Sequence, residues 1–236
     1  VKVAISTGDV DHAKHVSTIL PGMNNVPSED IKDHVKNAEL VNKHAADNAH
    51  ISQDQVATIA WMYDTPQGGQ VVSSKYATKA SHEIGSALEG MHAFRHTNGI
   101  ERAHTSLLGH SYGSTTAGKV AKMVRKGVLD DLVMYGSPGA GAHDAREYNL
   151  DHGRPYVSGI KSDDAVKGKG TLNSKFGNNP MFMPGVKHLA NNSERDRSFF
   201  IPWKMFDRHS EYLEEGTSSL EDISRVVTKV PVKGER

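Results

Sequence analysis

One stretch of the sequence decides the fold: Thr105-Ser106-Leu107-Leu108-Gly109-His110-Ser111-Tyr112-Gly113-Ser114. It holds a Gly-x-Ser-x-Gly motif between an apolar run typical of a strand and a run of small residues typical of a helix. In that context Ser111 is expected on a tight strand-to-helix turn, with its Oγ at the carboxyl edge of a sheet. A Cβ at Gly109 or Gly113 would clash in so tight a turn. We therefore predict that Ser111 is a nucleophile; the alternative is a Gly- and Ser-rich turn without chemistry.

Outward from this motif, strand-like runs alternate with helical patterns along most of the chain. The run Val56–Met62 is continuously apolar, as in a strand that is buried on both faces. Ser28 is predicted as the N-cap of a helix whose apolar residues recur at helical spacing. Strands separated by helices of this length indicate βαβ units, and hence an α/β fold with a mostly parallel sheet. The other predicted elements are strands over residues 1–6, 16–21, 105–109, 132–135 and 156–160, and helices over residues 74–95 and 114–125.

Length and composition narrow the class of protein. The chain has 236 residues, which fits a single domain over residues 1–236. Lys plus Arg and Asp plus Glu are both 28, so the basic excess of a nucleic-acid or anionic-membrane binder is missing. Mean hydropathy is −0.54, and no run approaches the roughly 20 apolar residues of an integral membrane segment. Cysteine is absent, which excludes disulfides, thiolate zinc sites and a cysteine nucleophile. Because the sequence opens at Val1 inside a strand-like run, we expect the natural N-terminus to lie upstream.

A serine of ordinary pKa needs a base, and the base needs an orienting carboxylate. In α/β enzymes of this kind the acid follows the serine in the chain, and the histidine follows the acid. His209 is the favoured base because it begins a C-terminal helical pattern, with His188 as the second candidate. His152 precedes the last predicted strand and therefore any acid placed after it. Either Asp163 or Asp164, which follow that strand, is predicted as the acid.

Two backbone N–H groups are candidates for the oxyanion hole. The first belongs to Tyr112, the residue after the nucleophile, at the positive end of the following helix. The second is expected in the loop after an earlier strand, where Gly22 permits close approach of the backbone. The N–H of Met23, or of Gly22 itself, is therefore predicted; the alternative is an ordinary strand-ending turn. Gly22 and His110 are also predicted to border the substrate, with His110 packed beneath the turn.

Residues 167–206 form an irregular segment rich in Gly, Asn and Pro. A long loop that also carries many apolar side chains must pack on something or cover something. We predict a lid or pocket wall, with filling of the core beside the last strand as the alternative. Apolar pockets with few polar groups suit acyl chains, which favours a small-molecule or lipid ester as the substrate. The segment contains Phe176, Phe182, Phe199, Phe200, Phe206, Trp203, Met181, Met183 and Met205, of which Phe182 and Trp203 are predicted to bind substrate.

Several short motifs follow one another along residues 1–212. They are Leu20-Pro21-Gly22-Met23, Trp61-Met62-Tyr63-Asp64-Thr65-Pro66, Gly109-His110-Ser111-Tyr112-Gly113-Ser114, Gly136-Ser137-Pro138-Gly139, Asp164-Ala165-Val166, Phe176-Gly177-Asn178-Asn179-Pro180 and His209-Ser210-Glu211-Tyr212. Together they resemble the actinobacterial α/β-hydrolases of the DUF1023 family. The resemblance implies an α/β-hydrolase fold, in which helices flank a mostly parallel central sheet, and a Ser-Asp-His triad. It favours Asp164 over Asp163 as the acid, and it implies a secreted or cell-surface protein.

These observations predict a serine hydrolase of the esterase or lipase type with Ser111, Asp164 and His209 as its triad. No metal and no organic cofactor is expected. Activity is expected to fall below about pH 6.5, because the imidazole of His209 must be neutral to accept a proton. The alternatives are acyl transfer or amide hydrolysis by the same triad, and an inactive domain that only binds. No nucleic-acid partner is expected, and the neutral chain is compatible with a monomer.

Overall fold

The computed structural model describes residues 2–159, 176–191 and 211–234, except for the side chains of residues 71 and 72. Seven strands among these residues form one sheet: β1 (Val3–Ser6), β2 (His15–Leu20), β3 (Val56–Met62), β4 (His104–His110), β5 (Asp131–Tyr135), β6 (Pro155–Ser158) and β7 (Lys187–His188). Their order across the sheet is β1-β3-β2-β4-β5-β6-β7. β1 runs antiparallel to β3, and each of the other neighbouring pairs is parallel.

Four α-helices of the described chain cover the two faces of the sheet. One face carries α1 (Pro27–Ala49) and α4 (Ser218–Val227), which pack against each other. The other face carries α2 (Lys75–Thr97) and α3 (Tyr112–Met123), which are also in contact. The sheet is therefore the middle layer of three, as parallel strands with crossover helices require.

Successive residues of the central strands supply the two halves of the core. In β4, Leu107 packs with the α2 and α3 side chains, and Leu108 packs with those of α1 and α4. In β5, Leu132 and Met134 face the layer of α2 and α3, and Val133 faces the layer of α1 and α4. All five side chains are fully buried. Because side chains alternate along a strand, these near-continuous apolar runs bury both faces of the sheet at once.

The register of the parallel strands brings their carboxyl ends to one edge. Leu20 pairs with Gly109, Gly109 pairs with Met134, and Tyr135 pairs with Ser158. The loops that follow β2, β4, β5 and β6 therefore leave the sheet next to one another. Ligand sites of open α/β sheets form at this edge.

The predicted α/β fold, a mostly parallel sheet flanked by helices, is confirmed. The ends of the predicted elements differ from the observed ones by at most two residues where both lie in the described chain. The prediction of Ser28 as an N-cap is wrong: α1 begins at Pro27 after Val26, whose N–H donates to the Asp30 carboxylate at 2.6 Å. Proline fits the first helical turn because its missing N–H would have no intrahelical acceptor there.

β7 was not predicted, because two residues are too few to show periodicity. It lies within residues 167–206, of which the structure describes residues 176–191. Part of that stretch fills the core, since Met183 and Val186 are buried against the α2 and α3 layer. Within the described residues, none of the helices has the length and apolarity that crossing a bilayer requires.

Candidate active site at the carboxyl edge of the sheet

Ser111 occupies the sharp turn between β4 and α3. Its backbone has φ 50° and ψ −124°, in the region of positive φ that side chains rarely adopt. Its N–H donates to Tyr135 O at 2.9 Å, and Ser114 N–H donates to Ser111 O at 2.9 Å. The residue is 6% exposed. The turn therefore holds a serine in a strained conformation, fixed on both sides by backbone hydrogen bonds.

Two glycines make this turn possible. A Cβ at Gly109 would lie 2.6 Å from Gly113 O, and a Cβ at Gly113 would lie 2.5 Å from Pro21 O. Both neighbours are backbone atoms, which cannot swing aside as the end of a side chain can. The start of α3 thus packs directly against the end of β2, and the predicted strand-turn-helix is present with the steric requirement that the motif implied.

The loop after β2 lies against Ser111. A Cβ at Gly22 would lie 3.0 Å from the Ser111 Cβ and 3.5 Å from its Oγ. Asn25 fixes this loop, because its side-chain amide donates to Gly22 O at 3.2 Å and to Met23 O at 3.0 Å. Thr65, after β3, exchanges hydrogen bonds with the Asn25 backbone. The backbone of Gly22 and Met23 is therefore held in place beside the serine.

Tyr112 is the first residue of α3. The first N–H groups of a helix have no intrahelical acceptor and carry the positive end of its dipole. The N–H of Tyr112 therefore offers a hydrogen bond at the position where a negative oxygen on a reacting carbonyl would be stabilised.

Hydrogen-bonded hydroxyl groups connect the turn at Ser111 to the loop after β5. The Ser114 Oγ lies within hydrogen-bond distance of Ser137 Oγ and of Ser111 O, each at 2.6 Å. Thr115 Oγ1 donates to Gly139 O at 2.8 Å. All of these side chains are buried. The loop after β5 is thereby tied to the first turn of α3.

Three aromatic rings pack together next to the turn that holds Ser111. The His110 ring stacks on Tyr135 with centroids 5.2 Å apart, and Tyr212 lies 6.0 Å from His110 and 5.7 Å from Tyr135. Tyr135 and Tyr212 are almost fully buried, and burial raises the pKa of Tyr135. Tyr212 belongs to the segment after β7, so this packing joins the C-terminal part of the chain to the strand that carries Ser111.

A second aromatic contact lies on the other side of the turn. The Tyr112 and Phe176 rings meet edge to face with centroids 5.9 Å apart. The Tyr112 hydroxyl donates to Ser73 O at 2.7 Å and accepts from Ala77 N–H at 3.1 Å, while burial raises the pKa of Tyr112. Phe176 O accepts from Gly141 N–H at 2.7 Å. This aromatic pair is therefore anchored to α2 and to the loop after β5.

A sequence model described as alpha/beta hydrolase matches residues 1–174. The chain belongs to the alpha/beta hydrolase family. Uncharacterized proteins of Mycobacterium tuberculosis and Mycobacterium bovis are each 30% identical to it over 201 residues, covering 82% of this chain and 73% of theirs. Another uncharacterized protein of Mycobacterium tuberculosis is 34% identical over 186 residues, covering 73% of this chain and 26% of its own length.

Two solved structures are similar to this alpha/beta hydrolase at low identity. The 2,6-dihydroxy-pseudo-oxynicotine hydrolase has 15% identity and a TM-score of 0.41; the match covers 87% of this chain and 63% of that one. An esterase from Exiguobacterium antarcticum has 12% identity and a TM-score of 0.34, with 96% and 68% covered. This chain thus spans less than two thirds of the first of these structures.

The structure brings together Gly22, Met23, His110, Ser111 and Tyr112 of the predicted site. Phe182 lies on the surface, with 83% of its area exposed. In the described part of this alpha/beta hydrolase, no group of three or more His, Asp or Glu side chains is arranged to hold a metal ion. The remaining predicted site residues lie outside the described residues: Asp163, Asp164, Trp203 and His209.

The two other candidate histidines are far from Ser111. His188 pairs with Val157, which pairs with Met134, which pairs with Gly109. Three steps of about 4.8 Å separate His188 from β4, the strand that leads to Ser111, by about 14 Å, which is beyond the reach of a histidine side chain. His152 precedes β6 and so lies near the opposite edge of the sheet. The described geometry excludes both as direct partners of Ser111.

Several residues of the site were missed from the sequence alone. The roles of Ser137, Tyr135 and Tyr212 depend on contacts between distant parts of the chain, which a local pattern does not encode. Phe176 was recognised only as part of an apolar segment. A usable signal was present for Ser137, since the Gly-Ser-Pro-Gly run follows a buried strand at the edge where ligands collect.

Proposed function

We propose that this alpha/beta hydrolase is a serine esterase that cleaves carboxylic esters, including lipid esters, through Ser111. The observation that carries the proposal is the strained backbone of Ser111, held between the first N–H group of α3 and the Gly22–Met23 backbone. Ordinary packing does not require a serine at positive φ. A nucleophile that must project from the end of a strand does require this backbone conformation.

Asp164 and His209 are proposed as the acid and the base. Asp164 follows the end of β6 by six residues, and β6 ends beside β5 at the same edge as Ser111. Tyr212, three residues after His209, packs on His110, the residue before the nucleophile. Three peptide units span at most about 11 Å, so the chain connectivity allows His209 to reach the Ser111 hydroxyl. His188 lacks this reach, which also supports His209.

The proposed reaction proceeds in two steps. His209 accepts the Ser111 proton as Oγ attacks the ester carbonyl, and Asp164 holds the imidazole in the required tautomer. The N–H groups of Tyr112 and Met23 stabilise the tetrahedral oxyanion, which collapses as His209 returns the proton to the leaving alcohol. Water then attacks the acyl-enzyme by the same route and releases the acid.

The surroundings of Ser111 favour an apolar acyl group. Phe176, whose ring packs edge to face on the buried Tyr112 ring, is proposed as an apolar wall beside the turn, and Gly22 and His110 border Ser111. Phe182 and Trp203 are proposed to extend this surface toward the substrate. The mycobacterial relatives are in keeping with the actinobacterial family that the motifs resemble. Secretion or attachment to the cell surface is proposed from that resemblance, and fractionation of the native cells would test it.

Covalent labelling with a fluorophosphonate tests the nucleophile. The wild-type protein is expected to form one adduct on Ser111 and to hydrolyse p-nitrophenyl esters of graded acyl length. Ser111→Ala should lose both activities, and Ser86→Ala, which removes a surface hydroxyl from α2, should keep both. His209→Ala and Asp164→Asn should lose most turnover, while Asp163→Asn should retain it.

Other outcomes of the same assay would redirect the proposal. An adduct accompanied by transfer of the acyl group to added alcohols, or by hydrolysis of amides, would assign an acyltransferase or an amidase. Folded protein that forms no adduct would refute the nucleophile and leave a domain that only binds.

A further inference from the structure

A cavity of about 210 Å³ lies at the edge of the sheet opposite Ser111. Thr105, near the start of β4, belongs to its wall, whereas Ser111 follows the end of that strand. Six residues of strand correspond to about 20 Å, so the cavity is separate from the proposed active site. Its walls come from the loop before β2, from α2 and from the segments that lead into β4 and β5. The apolar part is formed by Val16, Leu88, Met91, Ile100, Ala103 and Val128.

The buried guanidinium of Arg95 also lines this cavity, beside the apolar side chains. Arg95, on α2, is 6% exposed, and its guanidinium donates to the backbone oxygens of Glu101 at 2.9 Å, Val10 at 2.8 Å and Ala13 at 2.7 Å. A guanidinium has five N–H donors, so two remain without a protein acceptor in the described chain. No described carboxylate forms an ion pair with Arg95. Its direct partners are neutral backbone oxygens, while the carboxylates of Asp9 and Asp11 act on its charge from beyond ion-pair distance and do not belong to the cavity wall. A buried guanidinium with only neutral direct partners is stabilised further by an anion in contact with it.

The rest of the lining is also cationic or neutral. His92, His96 and Arg102 contribute to the wall, and no acidic residue does. Arg102 is already paired with Asp130 at 2.9 Å, so Arg95 is the arginine of the wall that forms no ion pair within the described residues. Burial and the positive charge of Arg102 lower the pKa of His92. The cavity thus combines an apolar interior with one guanidinium that still has N–H groups to donate.

We propose that this cavity binds a small carboxylate that carries an apolar tail. The carboxylate would accept from the free N–H groups of Arg95 and form a direct ion pair with it, and the tail would lie against the apolar wall. An apolar cavity of about 150 Å³ holds a molecule of benzene, so about 210 Å³ accommodates a group of the size of hexanoate or benzoate. The site is independent of the chemistry at Ser111.

Titration with hexanoate tests the proposal on the Ser111→Ala protein, in which turnover at the active site is removed. Chemical shifts in the protein NMR spectrum are expected to change in the segment from Leu88 to Ala103 and not around Gly109. Hydrogen bonds to a charged group contribute about 1.5–3 kcal/mol. Hexanoate should therefore bind at least about tenfold more tightly than hexanol, which has the same tail without the charge.

Variants separate the cavity from a general surface effect. Ala103→Leu and Ile100→Trp, which fill the cavity from its base and its rim, should each abolish the shifts. Arg95→Gln should remove the preference for hexanoate over hexanol. Arg125→Gln makes the same change of charge at an exposed position paired with Glu89 and should bind like the parent.

The inference is overturned if hexanoate causes no shifts, if hexanol binds as tightly, or if both filled variants fold and still bind. Arg95 would then be a structural residue that joins three backbone carbonyls. Thermal unfolding of each variant identifies any that fail to fold, and the two filling variants act at different depths, so the loss of one leaves the test intact.

Discussion

Gly22 lies so close to Ser111 that a Cβ added to it would stand 3.0 Å from the Ser111 Cβ. The two residues are 89 positions apart in sequence and belong to the loops after β2 and β4. The side-by-side ends of these strands bring them together. The space over the nucleophile is therefore defined by the absence of a side chain at Gly22.

Gly22→Ala is expected to lower kcat/KM by about 10–100-fold, because small displacements of reacting groups have effects of this size. The added methyl group must move either Ser111 or the Gly22–Met23 backbone that is proposed to hold the oxyanion. Gly69→Ala is the matched control, since a Cβ there has no atom within 4 Å. Steady-state ester hydrolysis measures both. Equal activity of the two variants would contradict the proposed role of this loop.

Gly113→Ala is expected to destabilise the protein by about 1–3 kcal/mol, the usual effect of overpacking a core. Its Cβ would lie 2.5 Å from Pro21 O and 2.7 Å from Leu20 O, both backbone atoms. Gly90→Ala provides the opposite case. Gly90 is a helical glycine of α2 with open space around it, so alanine should stabilise by about 0.5–1 kcal/mol. Urea denaturation of both variants measures the two free energies of unfolding, and a stable Gly113→Ala protein would refute the packing.

Tyr212→Leu is expected to reduce kcat by more than tenfold and to leave KM nearly unchanged. The leucine removes the aromatic contacts with His110 and Tyr135, each worth about 0.5–1.5 kcal/mol. Loss of this anchor should misplace His209, the proposed base three residues upstream, without altering the proposed apolar wall.

Tyr148→Leu is the control for Tyr212→Leu, since Tyr148 is a buried tyrosine of the α2 and α3 layer whose hydroxyl donates to Ala140 O at 2.7 Å. It should lose stability while keeping kcat. Equal losses of kcat in the two variants would indicate a general packing effect and contradict the anchor.

Stability is expected to fall between pH 7 and pH 5 because of His34. This α1 residue is buried, its Nε2 lies 3.0 Å from Ile19 O, and burial lowers its pKa to about 4. In the unfolded chain the pKa is about 6.5, so below that pH the unfolded state takes up a proton that the folded state does not. The loss from His34 alone amounts to about 2 kcal/mol between pH 7 and pH 5. Burial lowers the pKa of His15 as well, so it acts in the same direction.

His34→Gln should flatten this pH dependence, and His82→Gln, at an exposed position of α2, should leave it unchanged. Urea denaturation at pH 7 and pH 5 measures each. A slope that His34→Gln does not alter would assign the acid sensitivity to other groups.

The sequence was sufficient for the fold because its signals are local. The apolar run of β3 and the Gly-x-Ser-x-Gly motif between a strand and a helix each identify their element without knowledge of the rest of the chain. The predicted start of α1 at Ser28 was wrong because this preferred N-cap residue lies next to Pro27, and the proline determined where the helix begins.

The candidate site was predicted only in part, for a physical reason. Ser111, Tyr112 and Gly22 are tied to strand ends, so their places follow from the parallel sheet. The ring contact of Tyr212 with His110 joins residues about a hundred positions apart, and only the folded chain brings the rings together. The cavity around Arg95 was not predicted, since an arginine on a helix is normally expected to be exposed to solvent.

The positive φ of Ser111 lowers the thermal stability of the protein at the same residue that is proposed to react. Glycine adopts such a backbone without strain, whereas serine there carries a penalty of about 1–3 kcal/mol. Replacing Ser111 by glycine should therefore give an inert protein that melts at a higher temperature than its parent, while alanine, which retains the strain, should bring no such gain. Evolution toward a binding-only descendant would find its simplest stabilising mutation at the residue that is proposed to perform the chemistry.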